Sequence, residues 1–174
     1  MKERVYGEKV NIDTVNTISF YNQRAKTIKT REREYTTVLL GDKDPDFSVK
    51  WDAYEKQFIL PKLKLNQDKV ILDIGCGIGR WAEAVVGQCK EYYGVDFSSE
   101  MIAVAKENIK KENCHFYTMS LVDALSDSKI TVRKYDIVLM VGVSMYINEE
   151  ELIKCYHGLK RLAKRDTLFY FEES

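Results

Sequence analysis

Short apolar runs and longer mixed stretches alternate along the chain from about residue 70 to its end. The apolar runs predict strands near residues 70–74, 91–96, 114–119, 135–142 and 167–172, and the mixed stretches predict helices near residues 80–88, 99–111, 121–130 and 149–164. A continuous apolar run such as residues 137–141 is typical of a parallel sheet that is covered on both faces. Strict alternation of strands and helices therefore predicts an α/β fold with a doubly wound, mostly parallel sheet and right-handed crossovers.

The sequence before this region has a helical pattern. Residues 1–12 are polar, and we expect them to be loosely held. Asp13 is suited to cap a helix that runs to about Lys29, because a carboxylate at this position accepts the free N–H groups of the first turn. The charged run at residues 29–34 is interpreted as a solvated face.

A turn and a second helix follow. Residues 42–46 read D-K-D-P-D, which predicts the turn. The helix is predicted to run from Phe47 to Leu60 and to end at Pro61, because proline cannot donate a backbone hydrogen bond. These boundaries divide the chain into an N-terminal helical segment, residues 1–46, and a core, residues 47–174.

Composition narrows the classes of protein and partner. A chain of 174 residues fits one domain, and its 27 Lys plus Arg balance its 27 Asp plus Glu. Zero net charge gives no reason to expect nucleic acid or an anionic membrane surface as a partner. We find no apolar stretch long enough to span a membrane and no signal-peptide core, and the four cysteines lack a C-x-x-C spacing. These features are typical of a cytoplasmic protein with reduced cysteines, and with only two histidines we expect no metal site.

The strongest chemical signal lies at the end of the first predicted strand. Residues 72–79 read L-D-I-G-C-G-I-G, and Asp96 closes the second predicted strand. A strand that ends in a glycine loop, followed by a helix and by a strand that ends in an acid, indicates a site for a nucleoside-containing cofactor. Arg80 stands in place of the third glycine of a dinucleotide fingerprint, and Asp73 beside the loop disfavours a pyrophosphate. A ligand with a cationic amino group fits this polarity better.

The heptapeptide D-I-G-C-G-I-G resembles the first motif of the class I S-adenosylmethionine-dependent methyltransferases, which has the form acid-x-G-x-G-x-G. The resemblance covers about residues 50–174. It implies a Rossmann-like methyltransferase fold, S-adenosyl-L-methionine as cofactor and S-adenosyl-L-homocysteine as product. It also implies the residues that bind the cofactor at the motif: Asp73 for the amino group, and Gly75, Gly77 and Gly79 for close approach of the backbone.

Asp96 is expected to accept both ribose hydroxyls, a bidentate geometry that suits a carboxylate. A cap for the following helix is the alternative role, but Ser98 or Ser99 supplies that cap. Phe97 is expected beside the adenine and Met101 in the wall of the pocket, although either residue fits the core equally well.

The adenine amino group is bound in many relatives by an acid after the third strand, where this chain has Ser120. Ser120 with the backbone of Leu121 can serve adenine, or Asp123 can do so. Val141, at the end of the fourth strand, is also assigned to the cofactor site.

The opposite, methionine end of the cofactor is expected near the first helix of the core. Arg80 is expected to face solvent or the N-terminal segment, and Trp81 to be core or to flank the methionine end. Residues 20–25, F-Y-N-Q-R-A, resemble the lid of small-molecule and sugar-modifying methyltransferases. This resemblance implies that Tyr21 and Arg24 touch the cofactor carboxylate, and the alternative is a surface helix with one apolar stripe.

Methyl transfer mainly requires a positioned nucleophile and exclusion of water. The fourth strand is not followed by an N/D-P-P-Y/F motif, which disfavours methylation of amides and of exocyclic base amines. Small-molecule relatives often carry His five positions beyond Val141, where this chain has Tyr146. A tyrosine titrates near pH ~10 and is a poor base. We therefore assign Tyr146 to orienting the acceptor or to an apolar wall, and the acids at residues 149–151 to the first turn of a helix.

The predicted function is methyl transfer from S-adenosylmethionine to an oxygen or nitrogen atom of a small molecule, with a sugar or surface-glycan precursor as one acceptor class. The alternatives are a methyltransferase for protein or RNA and a non-catalytic cofactor-binding or interaction module. A nicotinamide-dependent dehydrogenase is disfavoured by Arg80.

The fifth predicted strand is an apolar edge with only residues 172–174 after it. Related methyltransferases have seven strands, so the last two are expected to be missing and the chain to be a fragment of a longer protein. Alternatively, the edge is covered by a second subunit.

Overall fold

The computed structural model describes residues 11–28, 34–39 and 44–173. These residues form one five-stranded sheet in the order β3-β2-β1-β4-β5, in which every pairing is parallel. The strands are β1 Val70–Ile74, β2 Glu91–Asp96, β3 Cys114–Thr118, β4 Tyr135–Val141 and β5 Ala163–Glu172. Most of the predicted polar N-terminus, most of the charged run at 29–34 and the start of the turn at 42–46 lie outside the described residues.

Helices cover both faces of this sheet, which confirms the predicted α/β fold. The helices are α1 Thr14–Lys26, α2 Thr36–Leu39, α3 Pro45–Leu63, α4 Arg80–Val85, α5 Ser99–Asn108, α6 Leu121–Ala124, α7 Ser128–Thr131 and α8 Glu149–Leu162, and two 3₁₀ turns cover Val86–Gln88 and Ser144–Tyr146. Among the described residues, no helix is both long and apolar enough to cross a membrane.

Alternating strand residues divide the core into two layers. Ile71 of β1 and Leu139 of β4 pack with residues of α3, α4 and α5 on one face. Leu72 of β1 and Met140 of β4 pack with residues of α6, α7 and α8 on the other face. Because successive side chains of a strand point to opposite faces, a continuous apolar run supplies both layers at once.

The predicted cap of α1 is confirmed, since the Asp13 carboxylate accepts the Asn16 N–H at 2.9 Å. The helix ends at Lys26, a turn earlier than predicted. The predicted end of α3 at Pro61 is wrong: the helix runs to Leu63. Proline removes one hydrogen bond near the helix end, and Leu63, only 2% exposed in the core, offsets that loss.

Two further boundaries differ from prediction. The single helix predicted over residues 121–130 is two short helices, α6 and α7, separated by Asp127, whose side chain accepts the Lys129 N–H at 2.7 Å. β5 begins at Ala163 rather than near residue 167, with an irregularity opposite Tyr135. The sequence did not predict the first part of β5, because residues 164–167 are polar and lie in the irregular part of the strand.

Candidate functional site

The glycine loop joins β1 to α4 at the carboxyl edge of the sheet, next to the point where the strand order reverses between β1 and β4. Gly75, Gly77 and Gly79 have φ of +70°, +53° and +87°, a region that favours glycine. A Cβ on Gly75 would lie 2.2 Å from Val143 Cγ2, and one on Gly77 would lie 2.8 Å from Val38 Cγ1. The loop therefore depends on glycine both for its conformation and for the space above it.

Asp96 ends β2 beside this loop. Its carboxylate accepts the Gly77 N–H at 2.9 Å and the Ser98 N–H at 2.8 Å. Burial raises its pKa to about 6, although these two bonds favour the ionised form. Ser98 caps α5 through the Met101 N–H at 3.1 Å, which confirms that a serine supplies the cap.

Asp73 lies one strand away, near the end of β1, and is also buried. The Tyr92 hydroxyl donates to its carboxylate. Burial raises the pKa of Asp73 to about 7, and the Tyr92 bond opposes this shift. Buried carboxylates are costly unless they are paired, so this group is suited to receive a cation.

A cleft runs along the loop and consists of three adjoining cavities that share Gly75 and Tyr146. The α3-side cavity, of about 300 Å³, is bordered by Phe47, Trp51, Asp73, Trp81, Tyr146 and Glu172. The β3-side cavity, of about 290 Å³, is bordered by Asp96, Phe97, Ser120, Leu121, Asp123 and Tyr146. A small chamber of about 70 Å³ lies between them, bordered by Tyr21, Asp96, Phe97, Met101 and Val141.

The residues expected at adenine lie together in the β3-side cavity. The Ser120 hydroxyl accepts the Asp123 N–H at 3.1 Å, which caps α6, and it donates to the Asp123 carboxylate at 2.7 Å. Leu121 is buried beside them. Ser120 and Asp123 form one hydrogen-bonded pair, so the two alternatives for the adenine amino group occupy the same wall.

Tyr21 and Tyr146 meet over the small chamber. The Tyr21 hydroxyl donates to the Tyr146 hydroxyl at 2.7 Å, and the rings pack edge to face with centroids 5.5 Å apart. Phe97 packs against the other side of Tyr21 at 5.9 Å. Burial, followed by the bond to Tyr146, raises the pKa of the Tyr21 hydroxyl. This pair joins α1 to the turn after β4 across the cleft.

Arg24, on the same helix, does not border any of these cavities. Its buried guanidinium donates to the carbonyl oxygens of Thr36 and Thr37, the latter at 3.0 Å. Arg24 therefore holds α2 against α1, and Val38 of α2 lies over Gly77. Met101 is 1% exposed and packs with Ala25 and Ile78, so it is a core residue that also borders the small chamber.

Arg80 is buried, and the alternative that it faces solvent is wrong. Its Nη1 donates to the carboxylates of Asp52 at 2.8 Å and Glu55 at 2.7 Å, both on α3. Trp81 is a core residue, buried against Tyr170, and it also borders the α3-side cavity. Its Nε1–H has no acceptor among the described residues.

Comparison with known proteins identifies the family. Residues 71–166 match the family model described as "Methyltransferase domain", which is more than half of the chain. The chain belongs to the class I S-adenosylmethionine-dependent methyltransferases. Its cofactor is accordingly S-adenosylmethionine, as the motif implied.

Individual relatives match over parts of their length. A probable cobalt-precorrin-6B C(15)-methyltransferase of Methanocaldococcus jannaschii is 40% identical over 52 residues, which are 30% of this chain and 28% of the relative. Phosphoethanolamine N-methyltransferase 1 of Zea mays is 27% identical over 126 residues, 71% of this chain and 24% of the relative. The structure of Haemonchus contortus phosphoethanolamine N-methyltransferase 1, with phosphoethanolamine and S-adenosylhomocysteine, superposes with a TM-score of 0.75 at 20% identity over 92% of this chain and 32% of that one. The chain thus spans about a quarter to a third of these relatives, and the structural likeness shows the fold.

The residues of this methyltransferase domain fit the cofactor. Two buried carboxylates, Asp73 and Asp96, lie at neighbouring strand ends, and Gly75 and Gly77 of the loop border the cleft with no side chain of their own. Trp81, which borders the α3-side cavity, also carries a buried Nε1–H donor without an acceptor among the described residues.

Sequence reasoning missed two acids at the end of β5. Glu172 borders the α3-side cavity. The Glu173 carboxylate accepts the Ser144 N–H at 2.9 Å and the Met145 N–H at 3.3 Å, and so anchors the turn that carries Tyr146. Their place at the carboxyl end of a predicted parallel strand was the signal that could have found them.

Proposed function

We propose that this methyltransferase domain transfers a methyl group to an oxygen or nitrogen atom of a small molecule. The observation that carries the proposal is the α3-side cavity, which opens beside Asp73 and the glycine loop and ends at Tyr146. A volume of about 300 Å³ suits a small acceptor rather than a folded macromolecule. A sugar or surface-glycan precursor is the acceptor class suggested by the resemblance of residues 20–25.

The cofactor would be held by the residues of the loop and the two strand ends. Asp73 would receive its amino group, Asp96 its ribose hydroxyls, and the β3-side cavity its adenine, near Phe97 and the Ser120–Asp123 pair. The bound cofactor supplies a methyl group already activated by a sulfonium. The protein positions the acceptor and excludes water, for which the Tyr21–Tyr146 contact over the small chamber is suited.

Tyr146 is proposed to orient the acceptor at the end of β4. We expect Tyr146→Phe to lower kcat/KM without changing the affinity for S-adenosylhomocysteine, measured by calorimetry. The acceptor for this assay would come from a screen of sugar nucleotides and small amines with labelled cofactor. Gly77→Val should instead abolish cofactor binding, because a side chain at φ +53° fills the approach to the loop.

Tyr21→Phe is the matched control, since it removes the same hydroxyl bond while leaving the Tyr146 hydroxyl in place. Equal turnover in Tyr146→Phe and the unmodified protein would reduce Tyr146 to a packing residue. Binding of NADH at millimolar concentration would contradict the assignment of the cleft, because an ionised Asp73 beside the loop would repel a pyrophosphate.

A further inference from the structure

The α3-side cavity contains a carboxylate that the cofactor does not require. Glu172 is half-buried at the end of β5. Because every second side chain of a strand points to the same face, Glu172 shares a face with Leu168 and Tyr170. Both of these residues pack against the core layer that contains Trp81, so Glu172 points towards the cavity side of the sheet. No described residue donates a hydrogen bond to its carboxylate or forms an ion pair with it.

The surrounding charges do not neutralise Glu172. Arg80 is shared between Asp52 and Glu55, and Lys56 pairs with Asp52 at 2.9 Å. Two cations and two carboxylates therefore cancel within this buried network. Asp73 is assigned to the amino group of the cofactor, which leaves Glu172 as the one uncompensated charge among the described residues that border the cavity.

Aromatic side chains form the rest of the wall. Phe47 and Trp51 of α3 stack with centroids 6.1 Å apart, and Trp81 and Tyr146 border the same cavity. Aromatic faces attract cations, and a carboxylate in the same cavity adds a direct partner. An anionic acceptor would be repelled here, and a neutral hydroxyl would leave Glu172 without a counter-charge.

We propose that the acceptor is an amine, and that Glu172 binds its ammonium group among Phe47, Trp51 and Tyr146. This inference rests on the proposed function and selects nitrogen over oxygen. A protonated amine is not a nucleophile, so its proton passes to the Glu172 carboxylate before transfer. The nitrogen lone pair then forms the bond to the methyl carbon as the carbon–sulfur bond breaks with its electron pair on sulfur, and the product leaves as a methylammonium ion.

The pKa of Glu172 supports this role. Burial, and then the charge of Glu55, raises the pKa of Glu172 above its ordinary value, and the charge of Arg80 offsets only part of this shift. A carboxylate with a raised pKa accepts a proton from an ammonium more readily than an exposed one.

The test compares amines with alcohols of the same shape in the protein saturated with S-adenosylhomocysteine. The probes are butylamine against butanol, phenethylamine against phenylethanol, and glucosamine against glucose. Binding is followed by quenching of tryptophan fluorescence, because Trp51 and Trp81 border the cavity. We expect at least one amine to bind ten times more tightly than its alcohol, and Glu172→Gln to remove that preference while leaving S-adenosylhomocysteine affinity unchanged.

Asp166→Asn is the matched control, since it removes an exposed acid from the same strand and should preserve the preference. Equal binding of each amine and its alcohol, or no binding of any amine, would overturn the amine assignment. A preference that survives Glu172→Gln would overturn the role of Glu172. Failure to bind S-adenosylhomocysteine is a different result, because it would contradict the proposed function itself.

Discussion

At the scale of single residues, the cleft is bordered by two buried carboxylates, Asp73 and Asp96. Desolvation raises the pKa of Asp73 to about 7 and of Asp96 to about 6, in each case against favourable hydrogen bonds. A carboxyl whose pKa is raised by folding destabilises the fold as the pH rises from about 4 through its folded pKa. Ionised Asp73 and Asp96 therefore cost stability, and a cationic or hydroxyl-bearing ligand beside them would offset that cost.

The pH dependence of cofactor binding follows from these two shifts. In the proposed site both groups must be ionised to bind the amino group and the ribose, so binding is expected to weaken as the pH falls through 7 and then 6. We expect affinity for S-adenosylhomocysteine to fall more than tenfold between pH 8 and pH 5.5, measured by calorimetry at constant ionic strength. Adenosine is the control ligand: it lacks the α-amino group of the amino-acid moiety, which Asp73 is proposed to bind, so its affinity should fall less, and only near pH 6. Affinity independent of pH would show that neither carboxylate contacts the ligand.

Asp96 can also be tested by substitution. We expect Asp96→Ala to weaken S-adenosylhomocysteine binding by about 1.5–3 kcal/mol, the usual size of hydrogen bonds to a charged group. Asp136→Ala is a matched control, because Asp136 lies in β4 and binds Val70 and Lys164 at the opposite end of the sheet. It should leave the affinity unchanged. A folded Asp96→Ala protein with normal affinity would remove Asp96 from the site.

The sequence predicted the residues that backbone geometry dictates. Glycines with positive φ and an acid at a strand end are tied to fixed points of the fold, so their places in the cleft could be anticipated. Arg24 and Arg80 could not be placed in this way, because a long side chain reaches partners that depend on packing. Arg24 reaches the carbonyl oxygens of α2, and Arg80 reaches the acids of α3.

At the scale of elements, α3 is attached to the sheet by buried charge as well as by apolar contact. Arg80 at the start of α4 donates to Asp52 and Glu55, and Glu55 also accepts the Tyr170 hydroxyl of β5 at 3.1 Å. Because Phe47 and Trp51 of α3 form the outer wall of the α3-side cavity, this network fixes the width of that cavity.

Arg80→Met should therefore destabilise the protein by about 3–5 kcal/mol in urea unfolding, because it leaves the buried Glu55 carboxylate without a counter-charge and leaves Asp52 with Lys56 alone. Adding Asp52→Asn and Glu55→Gln should recover part of the loss. Lys26→Met is the control, since it breaks the exposed pair with Glu100 and should cost less than about 1 kcal/mol. If Arg80→Met costs no more than Lys26→Met, the network does not hold α3.

Element type was predictable from the sequence, and element length was not. All five strands were found because apolar runs and their order dominate the pattern. Local signals failed where tertiary packing outweighs them: burial of Leu63 carries α3 past Pro61, and the cap at Asp127 divides the helix predicted over 121–130.

The edges of the sheet matter at the scale of the whole molecule. β5 pairs with β4 on one side, and no described strand pairs with its other side. Phe169 and Phe171 are 41% and 37% exposed, and Tyr156 of α8 packs beside Phe171 at 5.7 Å. An apolar strand with free N–H and C=O groups is a template for another strand, from a second copy or from a further segment.

We therefore expect the 174-residue chain to associate as its concentration rises, measured by light scattering. Phe171→Lys should shift the equilibrium towards monomer, because a charge on an edge strand opposes pairing. Val132→Lys is the control: Val132 is 69% exposed but lies after α7, away from β5, so its substitution should leave association unchanged. A stable monomer at high concentration would show that the β5 edge is protected without a partner. Association unaffected by Phe171→Lys would place the contact elsewhere, and the exposed aromatic face of α3, with Tyr54 and Phe58, would be the next surface to substitute.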